Sequence, residues 1–296
     1  MRDLAASVAR VNRTYSNSAR VAAAARAAHL IVDNEPRIFQ DSLAEALLGD
    51  QAAELLGYHR QHGHQPILAN ARVQATVRAR VTEDILADAV ASGVDQYVLL
   101  GAGLDSFAYR SPLAPTVRVF EVDHPATQTA KRERLSAIGV DTTRVRYVPV
   151  DLEVETPTLR DRLLDAGLDP TRPAVVSWLG VTMYLTPNAT GATLAQLATL
   201  APGTQLVLDY ILPAEQRDEA GKMYAELVSA HTAERGEPWL GFFTPDQMSA
   251  LLATHGFRMV RDVGQREALD PAMWQRTDAL RPAALARIGH AVLRAG

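Results

Sequence analysis

The chain has 296 residues, 47% of them hydrophobic and 22% charged, which suits a folded protein of one large or two small domains with a sizeable core. It has no cysteine, which excludes disulfides, thiolate nucleophiles and cysteine-based metal sites. A formal net charge of −4 with no long basic stripe argues against a nucleic-acid partner, and no apolar run is long enough to span a membrane.

The first 17 residues read as a loose polar arm, and Arg2, Asp3, Arg10, Asn12 and Arg13 interrupt any signal-peptide core, so a cytoplasmic protein with no membrane partner is expected. Residues 18–33 are alanine-rich and punctuated by Arg20, Arg26 and His29, which predicts a helix. Residues 41–48 predict a second, short one ended by Gly49. Residues 58–66, YHRQHGHQP, read as a polar loop. Its His59, His62 and His64 have no carboxylate or cysteine support nearby, so solvation is favoured over metal binding. Residues 69–91 carry an apolar stripe of Val73, Val77, Val81 and Leu86, with Arg72, Arg78 and Arg80 beside it. This helix runs straight into the first strand, so its arginines can reach a ligand cleft; surface charge is the competing reading for any one of them.

The stretch 97–123, YVLLGAGLDSFAYRSPLAPTVRVFEVD, organises the rest. An apolar run of the kind a buried parallel strand shows leads into Gly101, Gly103 and Asp105. A second apolar run, 117–122, carries Glu121 and ends at Asp123. Glycines let backbone approach a ligand, and an acid about 20 residues later can accept bonds from ribose hydroxyls. Ser106 stands where a GxGxxG turn has its third glycine. That disfavours a pyrophosphate-bearing dinucleotide and suits a nucleoside without phosphate, S-adenosyl-L-methionine (SAM) being the obvious one. A plain strand-to-helix turn with two chance glycines is the alternative.

His124-Pro125 starts the next helix. Residues 145–150 form the third predicted strand, followed by Asp151, and 174–179 the fourth, ending at Leu179. Residues 205–211 form the fifth. Helices are predicted at 159–166 and 190–200 between them, then at 215–235 and 246–255. Residues 239–243, WLGFF, read as an aromatic loop, and 257–263 and 288–293 as final strands. Alternating strands and helices predict an α/β fold, a doubly wound, mostly parallel sheet with ligands at the carboxyl ends of its strands.

VRARVTEDIL (77–86), LLGAGLDSFAYR (99–110), FEVDHP (120–125), VPVDL (148–152) and GVTMYLTP (180–187) occur in this order. With them the chain resembles the leucine carboxyl methyltransferase-like family of class I SAM-dependent methyltransferases, including its bacterial secondary-metabolism and mycobacterial branch. The resemblance spans about residues 19–263. It implies a seven-stranded class I methyltransferase sheet with an N-terminal helical lid. The expected organisation is lid and lead-in helix over 1–92, SAM-binding core over 93–296, and a helical insert at about 213–245, all one structural domain.

The resemblance also implies roles. Arg78, with Arg80 second, resembles the arginine that binds the SAM carboxylate. Gly101 and Gly103 would line the cofactor backbone, with Asp105 and Glu121 nearby. Asp123 would hold the ribose, and Asp151 with Leu152 the adenine. Leu179 departs from the pattern, because the family often has a glutamate of the cofactor pocket there.

Methyl transfer from a sulfonium needs alignment and exclusion of water. An ionised carboxylate acceptor needs no general base, whereas a phenol needs one. The sequence offers no evident base; His124 reads as a helix entry. The expected activity is therefore O-methylation of a small apolar metabolite, such as a polyketide-like acid, at a carboxylate. Alternatives are a phenol or hydroxyl acceptor, a protein C-terminal carboxylate, or SAM binding without catalysis. Arg20 and Arg26 are candidate cations for the acceptor, with His29 beside them. Tyr15, Tyr184, Tyr210 and Trp239 are candidate pocket walls. No metal is expected. The sequence leaves the oligomeric state open.

Overall fold

The computed structural model describes residues 16–152 and 159–295. The predicted polar arm and Tyr15 lie outside the described residues. Helices α1 (Asn17–Val32), α2 (Ala44–Leu48), α3 (Ala52–His62) and α4 (Pro66–Ala91) precede the sheet. Then follow β1 (Gln96–Leu100), β2 (Arg118–Asp123), α5 (Pro125–Ala137), β3 (Val145–Pro149), α6 (Leu159–Asp165), β4 (Val175–Trp178), α7 (Pro187–Leu197) and β5 (Gln205–Ile211). After β5 come α8 (Glu219–Glu234), α9 (Pro245–Thr254), β6 (Phe257–Gly264) and β7 (Ala286–Leu293). The seven strands run in the order β3-β2-β1-β4-β5-β7-β6. Strands β1 to β5 are parallel, while β7 is antiparallel to both β5 and β6.

The helix starts follow local chemistry. Prolines 66, 125, 187 and 245 each stand in a first turn, where no backbone N–H is missed. Thr244 and Gln247 form a full capping box at α9. The central strands β1, β4 and β5 are buried on both faces, so their side chains alternate between two cores. Val98, Leu100, Phe120, Trp178 and Leu208 pack with Leu163 of α6, Leu194 of α7 and Leu252 of α9. Tyr97, Leu99, Val119 and Val175 face the other way, onto Leu86 and Ala89 of α4. Farther back along α4, the predicted stripe Val73, Val77 and Val81 meets Val207 and Ile288. Each such fully buried side chain contributes about 1.5–3 kcal/mol, which fixes α4 against the sheet.

Three sequence expectations need correction. Residues 58–62 belong to α3 rather than a loop, and His59 is buried while Tyr58 is exposed. The helix expected at 41–48 starts only at Ala44, because the Asp41 side chain accepts from Leu43 N–H and from Arg26. The long helix expected at 215–235 is shorter, Glu219–Glu234, with Asp218 as its N-cap.

Candidate functional site

The parallel register lines up one edge of the sheet. Leu100 pairs with Val122 and with Trp178, and Trp178 pairs with Leu208. One residue further along, Gly101, Asp123, Leu179 and Asp209 therefore stand level at the carboxyl ends of β1, β2, β4 and β5. A cleft of about 260 Å³ opens above this edge. Such an edge is where open parallel sheets hold ligands.

The glycine turn forms the floor. Gly101 and Ala102 both donate their N–H to Val122 O (2.8 and 3.1 Å), which folds the chain back over β2. Gly103 has φ +47°, and a Cβ there would sit 3.0 Å from the Ala19 Cβ of α1. The turn and the first helix thus touch at van der Waals distance only because the side chain is absent. Asp123 completes the turn, accepting from Gly103 N–H (2.5 Å) and His124 N–H (2.6 Å). Burial raises its carboxyl above the ordinary aspartate range despite these bonds. The Asp105 side chain accepts from Phe107 N–H at 2.7 Å, just before the short helical turn that starts there.

Most of the candidate cofactor residues line this one cleft: Arg78, Gly101, Gly103, Asp105, Asp123, Asp151, Leu152 and Leu179. Glu121 does not. It shares a face of β2 with Asp123 but lies two residues deeper, below the strand end, buried in an ion pair with Lys131 Nζ (2.8 Å). Burial pushes its carboxyl upward against the pull of Lys131. Lys131 also lies over the Tyr109 ring, whose hydroxyl bonds Tyr147. Arg80 pairs with Asp84 on the exposed side of α4.

The proposed acceptor residues separate in the same way. Tyr184 lines the cleft, and burial, then Glu237, raises its phenol. Tyr210 is fully buried and donates to Asp262 (2.7 Å), away from the cleft. Trp239 packs beside Tyr184 and Tyr224 in an adjoining cluster. Arg20 bonds Gln51 and Asn17. Arg26 does line the cleft, yet its guanidinium is engaged by Asp41 (2.7 Å) and Leu104 O (2.7 Å). Burial pushes the Asp41 carboxyl up, but the Arg26 and Arg110 charges outweigh it and hold it low. His29 is buried between Asp33 and Ile38 N–H. The cations expected to meet an acceptor are thus bound to the protein itself.

Three features in or just behind the cleft carry no signal in the sequence. Asp209, 1% exposed, pairs with Arg78 Nη1 at 2.9 Å and accepts from Gly180 N–H at 2.6 Å. Glu237, from the segment after α8, lines the cleft and accepts from Ser16 Oγ (2.7 Å), Asn17 N–H (3.2 Å) and Ser18 N–H (3.1 Å) at the start of α1. Ser16 and Ser18 line the cleft as well. Partners 131 and about 220 residues apart leave no local pattern to read.

Residues 19–198 match the sequence model of the family described as leucine carboxyl methyltransferase. The chain is 30% identical over 284 residues to a Bacillus subtilis protein provisionally named an S-adenosyl-L-methionine-dependent methyltransferase, covering 88% of this chain and 92% of that one. A Mycobacterium tuberculosis protein of the same provisional name is 35% identical over 199 residues, 63% of this chain and 62% of the relative. In overall shape the chain resembles a crystal structure from Thermobifida fusca provisionally described as a methyltransferase, with a TM-score of 0.59 at 19% identity, covering 96% of this chain and 97% of the other. At that identity the likeness shows the fold alone. The chain belongs to the leucine carboxyl methyltransferase family and is a SAM-dependent methyltransferase.

Proposed function

We propose that the protein transfers the methyl group of SAM to a carboxylate oxygen of a small, largely apolar acceptor, giving a methyl ester. The cleft residues fit the cofactor part by part. Asp123 can accept from ribose hydroxyls, Asp151 and Leu152 can flank the adenine, and Arg78 can receive the amino-acid carboxylate. Bound there, SAM supplies an activated methyl group on a sulfonium. The protein's share is to hold the two reactants in line and to exclude water. Helix α1 roofs the glycine turn, and Ser16, Ser18, Ala19 and Tyr184 leave a partly apolar space beside it.

One observation carries the carboxylate reading. Three groups that could serve as a base near that space are already committed: Glu237 to the start of α1, His124 Nδ1 to Ala126 N–H, and Asp105 to Phe107 N–H; burial raises the Tyr184 phenol, which disfavours its anion. A carboxylate acceptor, ionised at neutral pH, needs no base. The family description, leucine carboxyl methyltransferase, agrees with this choice. A second reading, a hydroxyl or phenol acceptor, draws support from Arg20 and Arg26, which are turned to protein partners instead of standing ready for an anion. A secondary-metabolism acceptor and a cytoplasmic setting are part of the proposal. So is the division into lid, core and insert over 1–92, 93–296 and 213–245.

Incubation with methyl-labelled SAM and a panel of apolar acids and phenols tests the proposal. The expected product loses its label in mild alkali, and the rate stays nearly flat from about pH 6 to 9, since a carboxylate acceptor titrates near 4. An alkali-stable product, with a rate that climbs with pH, would replace the ester by an ether.

A further inference from the structure

We infer that Asp209 is the positioning residue for the amino-acid end of the cofactor, and that Gly180 provides the space it needs. The inference rests on Arg78 being the group that receives the cofactor's carboxylate.

An arginine on α4 has a long, flexible stem and could place its charge in many spots. Here it is held in one. The Asp209 side chain, two residues before the end of β5, is 2% exposed and takes Arg78 Nη1 through one oxygen at 2.9 Å. Its other oxygen takes Gly180 N–H at 2.6 Å, and its backbone carbonyl takes Thr182 Oγ1 at 2.6 Å. One residue therefore ties the helix before the sheet, the turn leaving β4, and β5 together at the level of the cleft. The guanidinium lies flat against Gly180. A Cβ built there would fall 2.6 Å from Nη2 and 2.9 Å from both Cζ and Nη1. Gly180 also has φ +70°, which side chains other than glycine rarely adopt.

The consequence is a guanidinium fixed before the ligand arrives. An arginine has five N–H donors in a rigid fork, and Asp209 takes one of them. The fork keeps donors for the carboxylate, while Asp209 fixes its plane and offsets the cost of holding a cation 17% exposed without ligand. A fork set in advance loses less freedom on binding, which shows as affinity.

The test compares two ligands by calorimetry: S-adenosylhomocysteine, and 5′-methylthioadenosine, which keeps the nucleoside and sulfur but lacks the amino-acid carboxylate. Asp209→Asn and Gly180→Ala are each expected to weaken S-adenosylhomocysteine at least fivefold and to leave 5′-methylthioadenosine within twofold. In an Arg78→Ala background, Asp209→Asn should add no further loss. Equal weakening of both ligands would mean that Asp209 merely supports the cleft, and the inference fails. Unchanged S-adenosylhomocysteine binding in both variants, with a loss in Arg78→Ala, overturns the role of Asp209 alone. Unchanged binding in Arg78→Ala overturns the reading of Arg78 beneath it. Should Asp209→Asn not fold, Gly180→Ala carries the same comparison.

Discussion

Asp123 closes the glycine turn by accepting from Gly103 and His124, and it lines the cleft at the place proposed above for the ribose. Asp123→Asn keeps the shape but converts one acceptor oxygen to a donor that must face an N–H. The loss of charge-assisted bonds costs about 1.5–3 kcal/mol. Calorimetry should therefore show cofactor affinity reduced by about tenfold or more, and unaltered affinity would remove Asp123 from the site. At this scale the sequence was readable where chemistry is local. A glycine turn and an acid at a strand end announce themselves within 27 residues. The protein partners of Arg26 and His29 are not legible in the sequence, because an alanine-rich helix gives no apolar stripe to tell its buried face from its wet one. Asp41 and Asp33, which bind them, lie on another segment and beyond the helix end.

Helix α1 is held at both ends by charge rather than by large side chains. At its start, Ser16 accepts from Ala19 N–H, and Glu237 collects two backbone N–H groups and the Ser16 hydroxyl. An acid there satisfies donors that the helix leaves unpaired and favours the positive end of its dipole. Glu237→Ala should cost about 1 kcal/mol of stability and speed hydrogen exchange at Asn17 and Ser18. Unchanged exchange at those amides would show that another group caps the helix. At its other end, Asp33 joins Arg72 of α4 by two bonds of 2.8 and 2.9 Å, and Arg72 Nη1 meets His59 of α3 at 3.4 Å. Burial, then the Arg72 charge, lowers His59 from 6.5 to about 4. A depressed histidine favours the fold while neutral. Its contribution is full above pH 6.5 and is lost as pH falls through 4, to a limit of about 3 kcal/mol. Urea midpoints should fall between pH 6.5 and 4, and His59→Asn should flatten that slope. Parallel pH curves for the two proteins would contradict the assignment. The sequence presented this histidine as part of a loop because YHRQHGHQP is polar throughout. Its burial comes from α1 and α4 closing over it, a tertiary fact.

The molecule as a whole was the most legible level. Strand and helix alternation is a long-range regularity that survives errors of a few residues at each boundary, and the five parallel strands fell close to where the pattern put them. The sequence did not say that β7 enters between β5 and β6. All seven residues of β5 are paired with β7, from Gln205 with Val292 to Ile211 with Ala286. Ala291 and Leu293 help to close the core around Trp178. This has a consequence for biosynthesis. As the chain leaves the ribosome, β1 to β5 can assemble in turn, but the slot beside β5 stays vacant until 286–293 have emerged. Until then Leu206, Leu208 and Tyr210 lie on an open edge of the kind that recruits other chains. A chain stopped after Ala284 should collect as aggregates on expression, and a soluble, cofactor-binding product would show that the edge is tolerated. Nascent copies thus carry an uncovered strand edge, and it closes only when residues 286–293 are delivered.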